Sequence, residues 1–266
     1  MITKKYTHLF FDLDNTLWDF SSNSYEAFYD TLKRLNLLSV IGPYEDFFTI
    51  YSEENERLWD LYRKRQVTKK VLRVERFEAA FIRNGTPLAI GGDEVNDIYL
   101  EEMVNQTQLV EGARELLEHL YGRYKIAVIT NGFTEVQYDK IHKSKLTKYF
   151  DKVITSEEIG TPKPGKKIFE YAAKSINAPK KSTLMIGDSW EADILGARDF
   201  GIDQIFFNPK MDKLDFEGLF LSISKPILSN IFQGSPLILV PDSENNYKKK
   251  VQTSLISRLD QLFAIL

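Results

Sequence analysis

The chain has 266 residues, of which 43% are hydrophobic, enough for one large domain or for a domain that carries an insertion. Its 35 basic and 38 acidic side chains leave a formal net charge of −3, which gives no general attraction to nucleic acids or anionic membranes. The absence of cysteine excludes disulfides and thiol nucleophiles, and the absence of a signal peptide and of a membrane-length apolar run predicts a soluble, cytoplasmic protein with no membrane partner.

The predicted elements begin with one strand and then change to helices. Residues 8–12 form a short apolar run that ends in an acid, which is typical of a buried strand. From Ser21 onwards, apolar residues recur at helical spacing, and we see no convincing strand before about residue 106. We therefore predict an all-helical cap domain over residues 19–106, inserted after the first strand.

Strand and helix patterns alternate in the second half of the chain. Between helical stretches, β-rich runs predict four strands, at residues 125–130, 152–155, 183–187 and 204–207. This alternation favours right-handed crossovers and a parallel sheet. The predicted fold is α/β: a three-layer, doubly wound parallel sheet in a discontinuous core of residues 1–18 and 107–210.

Residues 211–266 follow this core as a C-terminal extension. Residues 251–266 fit a short segment and a last helix packed on the core, whereas residues 219–231 and 237–240 are rather apolar and have no readable purpose. An appended surface hairpin or helix is favoured there over a dimer contact. The sequence leaves open whether the protein is a monomer or a homodimer.

Four motifs place polar residues directly after predicted strands or in the loops beyond them. They are Asp12-Leu13-Asp14-Asn15-Thr16, Thr130-Asn131-Gly132, Lys163-Pro164, and Gly187-Asp188-Ser189 followed by Asp193. Open α/β sheets bind ligands at the carboxyl ends of their strands. The motifs therefore predict one site that is assembled from several strand ends.

The first motif carries two carboxylates. Asp12 and Asp14 point to the same side of an extended segment, so that one can attack or bind a metal while the other moves a proton. Thr16 adds a hydroxyl that can orient the turn. The alternative is an ordinary turn, which Asp and Asn also favour.

The second and third motifs offer groups that suit a phosphate. Thr130 and Asn131 can present a hydroxyl, an amide and backbone N–H groups, although strand-to-helix turns often have this composition. Lys163 lies between two prolines that stiffen its loop and aim its ammonium group. The alternative is a solvated loop lysine.

The fourth motif offers a further carboxylate at a strand end. Asp188, after Gly187, can join Asp12 around a hard cation, and oxygen ligands without nearby cysteine or histidine favour Mg²⁺. Asp193 lies one helical turn further on. It either supports this loop or is an acid placed to suit the helix dipole.

Together the motifs resemble the phosphatase branch of the haloacid-dehalogenase-like hydrolase superfamily over about residues 6–210. The resemblance implies that Asp12 is the nucleophile, which forms an aspartyl phosphate, and that Asp14 is the general acid and base. True dehalogenases of the superfamily lack a carboxylate at the position of Asp14. The other roles that the resemblance implies are phosphate binding by Thr130 and Lys163, Mg²⁺ binding by Asp12, the backbone carbonyl of Asp14 and Asp188, and support from Asp193. From the motifs themselves, Asn131 is also predicted to bind the phosphate, and Thr16 and Gly187 are predicted to support the site.

The local strings at residues 11–20, 130–133, 159–164 and 187–194 are most similar to the pyrimidine 5′-nucleotidases of the superfamily. The resemblance implies a small-molecule substrate, a nucleoside 5′-monophosphate. The alternatives in the same class are a sugar-phosphate phosphatase of the acylneuraminate 9-phosphate type and a phosphomutase.

Two alternatives come from other classes. A signalling module phosphorylated on Asp12 is disfavoured, because it needs no cap and Asp14 would hasten hydrolysis of its acyl phosphate. Nucleic-acid binding through the basic residues within 63–76 is disfavoured by the net charge of −3.

Aromatic residues after the first motif are candidates for reading the substrate. Trp18 is predicted to contact it, because its ring could stack on a base. Phe28 is predicted to belong to the core of the cap.

Overall fold

The structure, a computed structural model, describes residues 6–209, 251 and 253–266. The apolar runs at residues 219–231 and 237–240 lie outside the described residues. Contacts within the chain divide it into two compact units. A core unit comprises Met1–Asp19 and Leu109–Leu266, and a cap unit comprises Phe20–Gln108.

The described part of the core unit contains a six-stranded parallel sheet, which confirms the predicted fold. In chain order the strands are β1 (His8–Phe11), β2 (Lys125–Thr130), β3 (Lys152–Thr155), β4 (Thr183–Gly187), β5 (Asp203–Phe207) and β6 (Thr253–Ile256). Their spatial order is β3-β2-β1-β4-β5-β6. The chain thus builds outwards from β1 in both directions, and the carboxyl ends beside β1 form the crevice where such sheets bind ligands.

The sixth strand was not predicted. Thr253–Ile256 pair in parallel with β5 at the edge of the sheet, although Thr253 and Ser254 interrupt any apolar run. The chain then ends in a 3₁₀-helix, Leu259–Ala264, in which Leu259 and Leu262 are buried. The expected last helix is therefore a 3₁₀-helix, and the segment before it is a strand.

Four α-helices make up the cap unit, as predicted: α1 (Phe20–Arg34), α2 (Tyr44–Arg63), α3 (Lys69–Arg83) and α4 (Gly92–Asn105). Their centre is aromatic. The ring of Phe28 is fully buried and lies 4.1 Å from that of Tyr51 and 5.8 Å from that of Phe77, between centroids. Phe28 is therefore a core residue of the cap, as predicted.

Within the basic stretch of the cap, Arg76 is buried as well. Its guanidinium donates to the amide oxygens of Asn55, at 3.2 Å, and Asn96, at 2.9 Å. A buried guanidinium cannot reach a phosphate backbone, so Arg76 adds nothing to a nucleic-acid surface.

The two ends of the cap unit are joined to each other. The side chain of Asn23, in the first turns of α1, donates to the carbonyl oxygen of Gln108 at 2.8 Å and accepts from its N–H at 3.1 Å. In the core unit, the N–H of Val110 donates to the carbonyl oxygen of Leu17 at 3.0 Å. The outgoing and returning stretches of chain are thus paired within each unit.

The remaining α-helices of the core unit are α5 (Ala113–Leu120), α6 (Thr134–Lys143), α7 (Ser156–Ile159), α8 (Lys166–Ser175) and α9 (Gly196–Phe200), and a π-helical turn, Trp190–Leu195, precedes α9. Ile168 and Phe169 of α8 pack with Phe10 and Met185 of the sheet. Helices α5 and α7 were not predicted, because each is too short to repeat its apolar pattern over several turns. None of the described helices combines the length and the apolar character needed to cross a bilayer.

Candidate active site

The first motif forms a tight loop at the end of β1. The N–H of Asp12 donates to the carbonyl oxygen of Ile186 at 2.9 Å, so that Asp12 continues the pairing with β4. The loop then closes through the N–H of Asn15, which donates to the carbonyl oxygen of Trp18 at 2.7 Å. Asn15 has a φ of 58°, a left-handed conformation that asparagine tolerates better than most residues. This turn holds Asp12 and Asp14 on the same short loop.

Three carboxylates meet beside this loop. Oxygen atoms of Asp12, Asp188 and Asp193 lie within 4.8 Å of one another. The Lys163 ammonium donates to Asp12 Oδ1 at 2.5 Å and to Asp193 Oδ1 at 2.6 Å. The structure thus brings together residues from the first, third and fourth motifs.

This cluster is short of positive charge. Three carboxylates face one ammonium group, which leaves two negative charges uncompensated within the cluster. Burial, and repulsion from Asp193, raise the pKa of Asp188 to about 7. Burial also raises the pKa of Asp12 well above its usual range, despite the attraction of Lys163. Burial lowers the pKa of Lys163, but Asp12 and Asp193 raise it by more, so that its net pKa lies above the ordinary value. A divalent cation fits this deficit, and hard carboxylate oxygens suit Mg²⁺.

Asp193 is the member of the cluster whose two carboxylate oxygens both accept hydrogen bonds from the protein. It is completely buried, its Oδ1 accepts from Lys163, and its Oδ2 accepts from the N–H of Ser189 at 3.0 Å. Gly187 makes this possible, since a Cβ there would lie 2.2 Å from Asp193 Oδ2. Asp193 therefore fastens the loop that carries Asp188, which leaves Asp12 and Asp188 as the more open oxygen donors.

Asp14 lies in different surroundings. Its Oδ1 accepts from the Lys140 ammonium at 2.7 Å, and its Oδ2 accepts from the Gln137 amide at 2.8 Å. Lys140 and Gln137 are both buried, whereas 27% of the Asp14 side chain is exposed. Neither partner was predicted from the sequence. Their spacing of three residues places them on one face of a helix, but it does not show which loop that face meets.

Thr130 presents its hydroxyl from the end of β2. Its Oγ1 accepts from the N–H of Gly132 at 3.1 Å and from the Gln137 amide. Among the described residues it has no acceptor for its own proton, which is therefore available to a phosphate oxygen. A side chain at position 132 would collide with Gln137, because a Cβ would lie 2.3 Å from its Nε2.

The side-chain amide of Asn131 is occupied by the loop of the third motif, and its predicted contact with phosphate stays a prediction. Its Oδ1 accepts from the N–H of Lys163 at 2.8 Å, and its Nδ2 donates to the carbonyl oxygen of Lys163 at 3.0 Å. This reciprocal pair fixes the backbone that carries the Lys163 ammonium. The geometry supports a positioning role for Asn131.

Thr16 and Trp18 complete the first motif. The hydroxyl of Thr16 donates to Asp188 Oδ1 at 3.4 Å, a long contact that links the first and fourth motifs. Trp18 is fully buried, its indole N–H donates to Ser144 Oγ at 3.1 Å, and the Lys140 ammonium lies 4.2 Å from its ring centroid. A ring with no exposed surface cannot stack on a base, so the geometry does not support the predicted substrate contact of Trp18.

The sequence matches a family model. Residues 6–201 match the model described as haloacid dehalogenase-like hydrolase. The match spans most of the chain, and the chain therefore belongs to this family and is an enzyme of the hydrolase class. The similarity to curated relatives places it with the phosphatases of the family.

Two bacterial relatives are each 35% identical over 206 residues, which is 77% of this chain. They are the pyrimidine 5′-nucleotidase YjjG of Escherichia coli, of which the match covers 87%, and the pyrimidine 5′-nucleotidase PynA of Streptococcus pneumoniae, of which it covers 84%. A ribulose-1,5-bisphosphate 5-phosphatase of Halopiger xanaduensis is 32% identical, over 76% of this chain and 85% of its own length.

A solved structure shares the fold over nearly the whole length of both chains. It is the hydrolase YfnB of Bacillus subtilis, in a form bound to magnesium, with 26% identity, a TM-score of 0.75 and 99% of each chain covered.

Proposed function

We propose that this enzyme is a Mg²⁺-dependent phosphomonoesterase that acts through an aspartyl phosphate on Asp12. The observation that carries the proposal is the division of labour between two carboxylates on one loop. Asp12 is buried beside Lys163 in a cluster short of positive charge, whereas Asp14 is partly exposed and held by its own pair of donors. One carboxylate is thus placed for attack and the other for proton transfer.

Mg²⁺ held by Asp12, Asp188 and the backbone carbonyl of Asp14 would supply positive charge that offsets the repulsion between a carboxylate and a phosphoryl group. Lys163 contributes further positive charge to that end of the site. The Thr130 hydroxyl is free to donate to a phosphoryl oxygen. The protein thereby orients the phosphorus in front of Asp12.

The reaction then needs two displacements at phosphorus. In the first, an Asp12 oxygen forms a bond to phosphorus while the ester P–O bond breaks, and Asp14, which enters this step as the carboxylic acid, gives its proton to the leaving alkoxide. In the second, Asp14 takes a proton from water, the water oxygen bonds to phosphorus, and the bond to Asp12 breaks. Inorganic phosphate leaves, and both carboxylates return to their starting states.

For the substrate, we propose nucleoside 5′-monophosphates, with pyrimidine nucleotides preferred. The support is the similarity to the two pyrimidine 5′-nucleotidases at 35% identity. A sugar phosphate is the second candidate, supported by the ribulose-1,5-bisphosphate 5-phosphatase at 32% identity. A cytoplasmic location, and a monomeric or homodimeric state, stay predictions.

A phosphate-release screen tests both levels of the proposal. It compares pyrimidine and purine 5′-monophosphates with sugar phosphates, in Mg²⁺ and in EDTA, using Asp12→Asn as the inactive control. We expect Mg²⁺-dependent release that is fastest from pyrimidine nucleotides. Full activity in EDTA would contradict the metal role, and a clear preference for sugar phosphates would favour the second candidate.

A further inference from the structure

One face of α6 is directed at the loop of the first motif. Gln137, Lys140 and the C-terminal cap residue Ser144 follow one another at intervals of three and four residues, which places them on the same face of the helix. Each of the three makes a side-chain hydrogen bond to that loop, to Asp14 or Trp18. This face of α6 contributes neither the nucleophile nor a metal ligand of the proposed reaction.

The carboxylate of Asp14 is held at both oxygens. Lys140 Nζ lies 2.7 Å from Oδ1, and Gln137 Nε2 lies 2.8 Å from Oδ2. A carboxylate bonded at both ends cannot rotate about its terminal torsion without losing both bonds. Each oxygen accepts one of these bonds, and each keeps further acceptor capacity that can serve a proton in transfer.

The Lys140 ammonium, which binds Asp14, also packs against the ring of Trp18. Lys140 is 3% exposed, and its Nζ lies 4.2 Å from the ring centroid of Trp18. The indole N–H of Trp18 is fixed by Ser144 at 3.1 Å. A lysine side chain normally moves among many rotamers, but here the indole and the carboxylate leave its charged end little freedom.

Gln137 connects two parts of the proposed mechanism. Its amide nitrogen donates to both Asp14 Oδ2 and Thr130 Oγ1. One nitrogen therefore links the proposed acid and base, Asp14, to Thr130, which is proposed to bind the phosphate. The same amide packs so closely on the second motif that a side chain at position 132 would displace it. The distance between Asp14 and Thr130 is thereby set by one residue of α6.

We propose that Lys140 is a positioning residue, which with Gln137 holds the Asp14 carboxylate in the orientation needed for proton transfer. The inference rests on the proposed function, because it assigns Asp14 the acid and base steps. In this assignment Lys140 and Gln137 act on Asp14 and not on the phosphoryl group or the water. Because they act through Asp14, their loss should slow the steps in which Asp14 transfers a proton. Formation of the phosphoenzyme from an ester whose leaving group needs no proton should be spared.

The choice of leaving group separates these steps. Nitrophenolate leaves without protonation, so formation of the phosphoenzyme from p-nitrophenyl phosphate does not depend on Asp14, whereas its hydrolysis does. The test compares Lys140→Met with Lys140→Arg, and with Lys143→Met as the control for the same exchange at an exposed position of the same helix. Rapid mixing with p-nitrophenyl phosphate, and steady-state turnover of UMP, give the readouts.

For Lys140→Met we expect a nitrophenol burst at close to the wild-type rate, followed by a steady state that is about 10- to 100-fold slower, on the scale of a weakened acid and base. Turnover of UMP should fall by at least as much, and Lys140→Arg should recover most of the loss. Lys143→Met should match the wild type. If Lys140→Met fails to fold, Gln137→Leu should give the same separation of burst from steady state.

Two results would overturn the inference alone. One is a Lys140→Met enzyme as active as Lys143→Met. The other is a burst and a steady state that fall in equal proportion in Lys140→Met and in Gln137→Leu, as expected of residues that only stabilise the fold. A wild-type enzyme that releases phosphate from no ester would instead refute the proposed function.

Discussion

Asp12 and Asp14 are two residues apart in the chain, yet their charges are balanced in different ways. Asp14 has a buried ammonium and an amide from α6, so its charge is compensated by the protein itself. Asp12 shares one ammonium with Asp193 and lies close to Asp188. We refer to these as the Asp14 side and the Asp12 side of the site.

The difference indicates what each side is for. A group whose task is to move protons must keep one orientation through two steps, and internal partners provide it. A carboxylate that binds a metal ion is better left with part of its negative charge uncompensated by the protein. The metal ion then supplies the missing positive charge when it binds. The four changes below separate the two sides, in order of decreasing effect.

The largest effect is expected on the Asp12 side. Asp12→Asn removes the proposed nucleophile while keeping its shape, so turnover should fall by at least ~10⁴-fold, as for other covalent nucleophiles. Phosphate release from UMP and acid-quench trapping of the phosphoenzyme measure it. A variant that still accumulates phosphoenzyme would show that another residue is attacked.

Trp18→Ala should act on the Asp14 side without affecting the Asp12 side. Removing a fully buried indole should lower the free energy of unfolding by about 3–5 kcal/mol, and it also releases Lys140 and Ser144 from their ring and N–H contacts. Denaturant unfolding measures the loss, with Trp18→Phe as a milder control. Turnover of UMP and of p-nitrophenyl phosphate should fall together, and a selective rise in KM for UMP would restore Trp18 as a substrate contact.

Asp14→Asn should slow turnover by at least ~10²-fold, the usual scale for loss of a general acid and base. The phosphoenzyme should accumulate wherever its hydrolysis suffers more than its formation. Quenched-flow sampling with labelled substrate detects it. Unchanged kinetics would show that Asp14 is only a turn residue, held by α6 for structural reasons.

The smallest effect concerns stability without metal, and the two sides should respond with opposite signs. Asp188→Asn removes a half-buried carboxylate repelled by its neighbours, so at neutral pH it should raise the free energy of unfolding of metal-free protein by about 1 kcal/mol. Asp14→Asn leaves the buried Lys140 without its counter-charge and should lower it by about as much.

Chemical denaturation in EDTA measures both variants, and excess Mg²⁺ should abolish the advantage of Asp188→Asn. The same sign for both would mean that the two carboxylates are balanced alike.

The sequence was sufficient to predict groups that follow strands directly or lie in the loops beyond them. Asp12, Asp188 and Lys163 could be assigned to one site because parallel strands end at the same edge of a sheet, and the structure brings the three residues together. The Asp14 partners could not be found this way. Lys140 and Gln137 lie within an ordinary amphipathic helix, and nothing in the local pattern shows which loop that helix faces.

Trp18 shows the converse error, since the sequence predicted a substrate contact for a residue that belongs to the core. An aromatic residue next to a catalytic loop fits a substrate contact as well as a core position, and only the tertiary packing against Lys140 and Ser144 distinguishes them. β6 was missed for a related reason. An edge strand of four residues, two of them polar, gains its stability from pairing with β5 and not from a pattern of its own.

The paired ends of the cap have an evolutionary consequence. Asn23 holds Gln108 in the cap unit, and Leu17 holds Val110 in the core unit, so the inserted sequence leaves and rejoins its host at one place. An insertion whose own fold holds its ends together costs the host little loop-closure entropy, because that cost rises only slowly with length. Gene segments that encode different caps can therefore be exchanged at this junction while the catalytic loops are left intact. We expect a chimaera joined between residues 19 and 109, with the cap of a relative, to fold with its core unit unchanged.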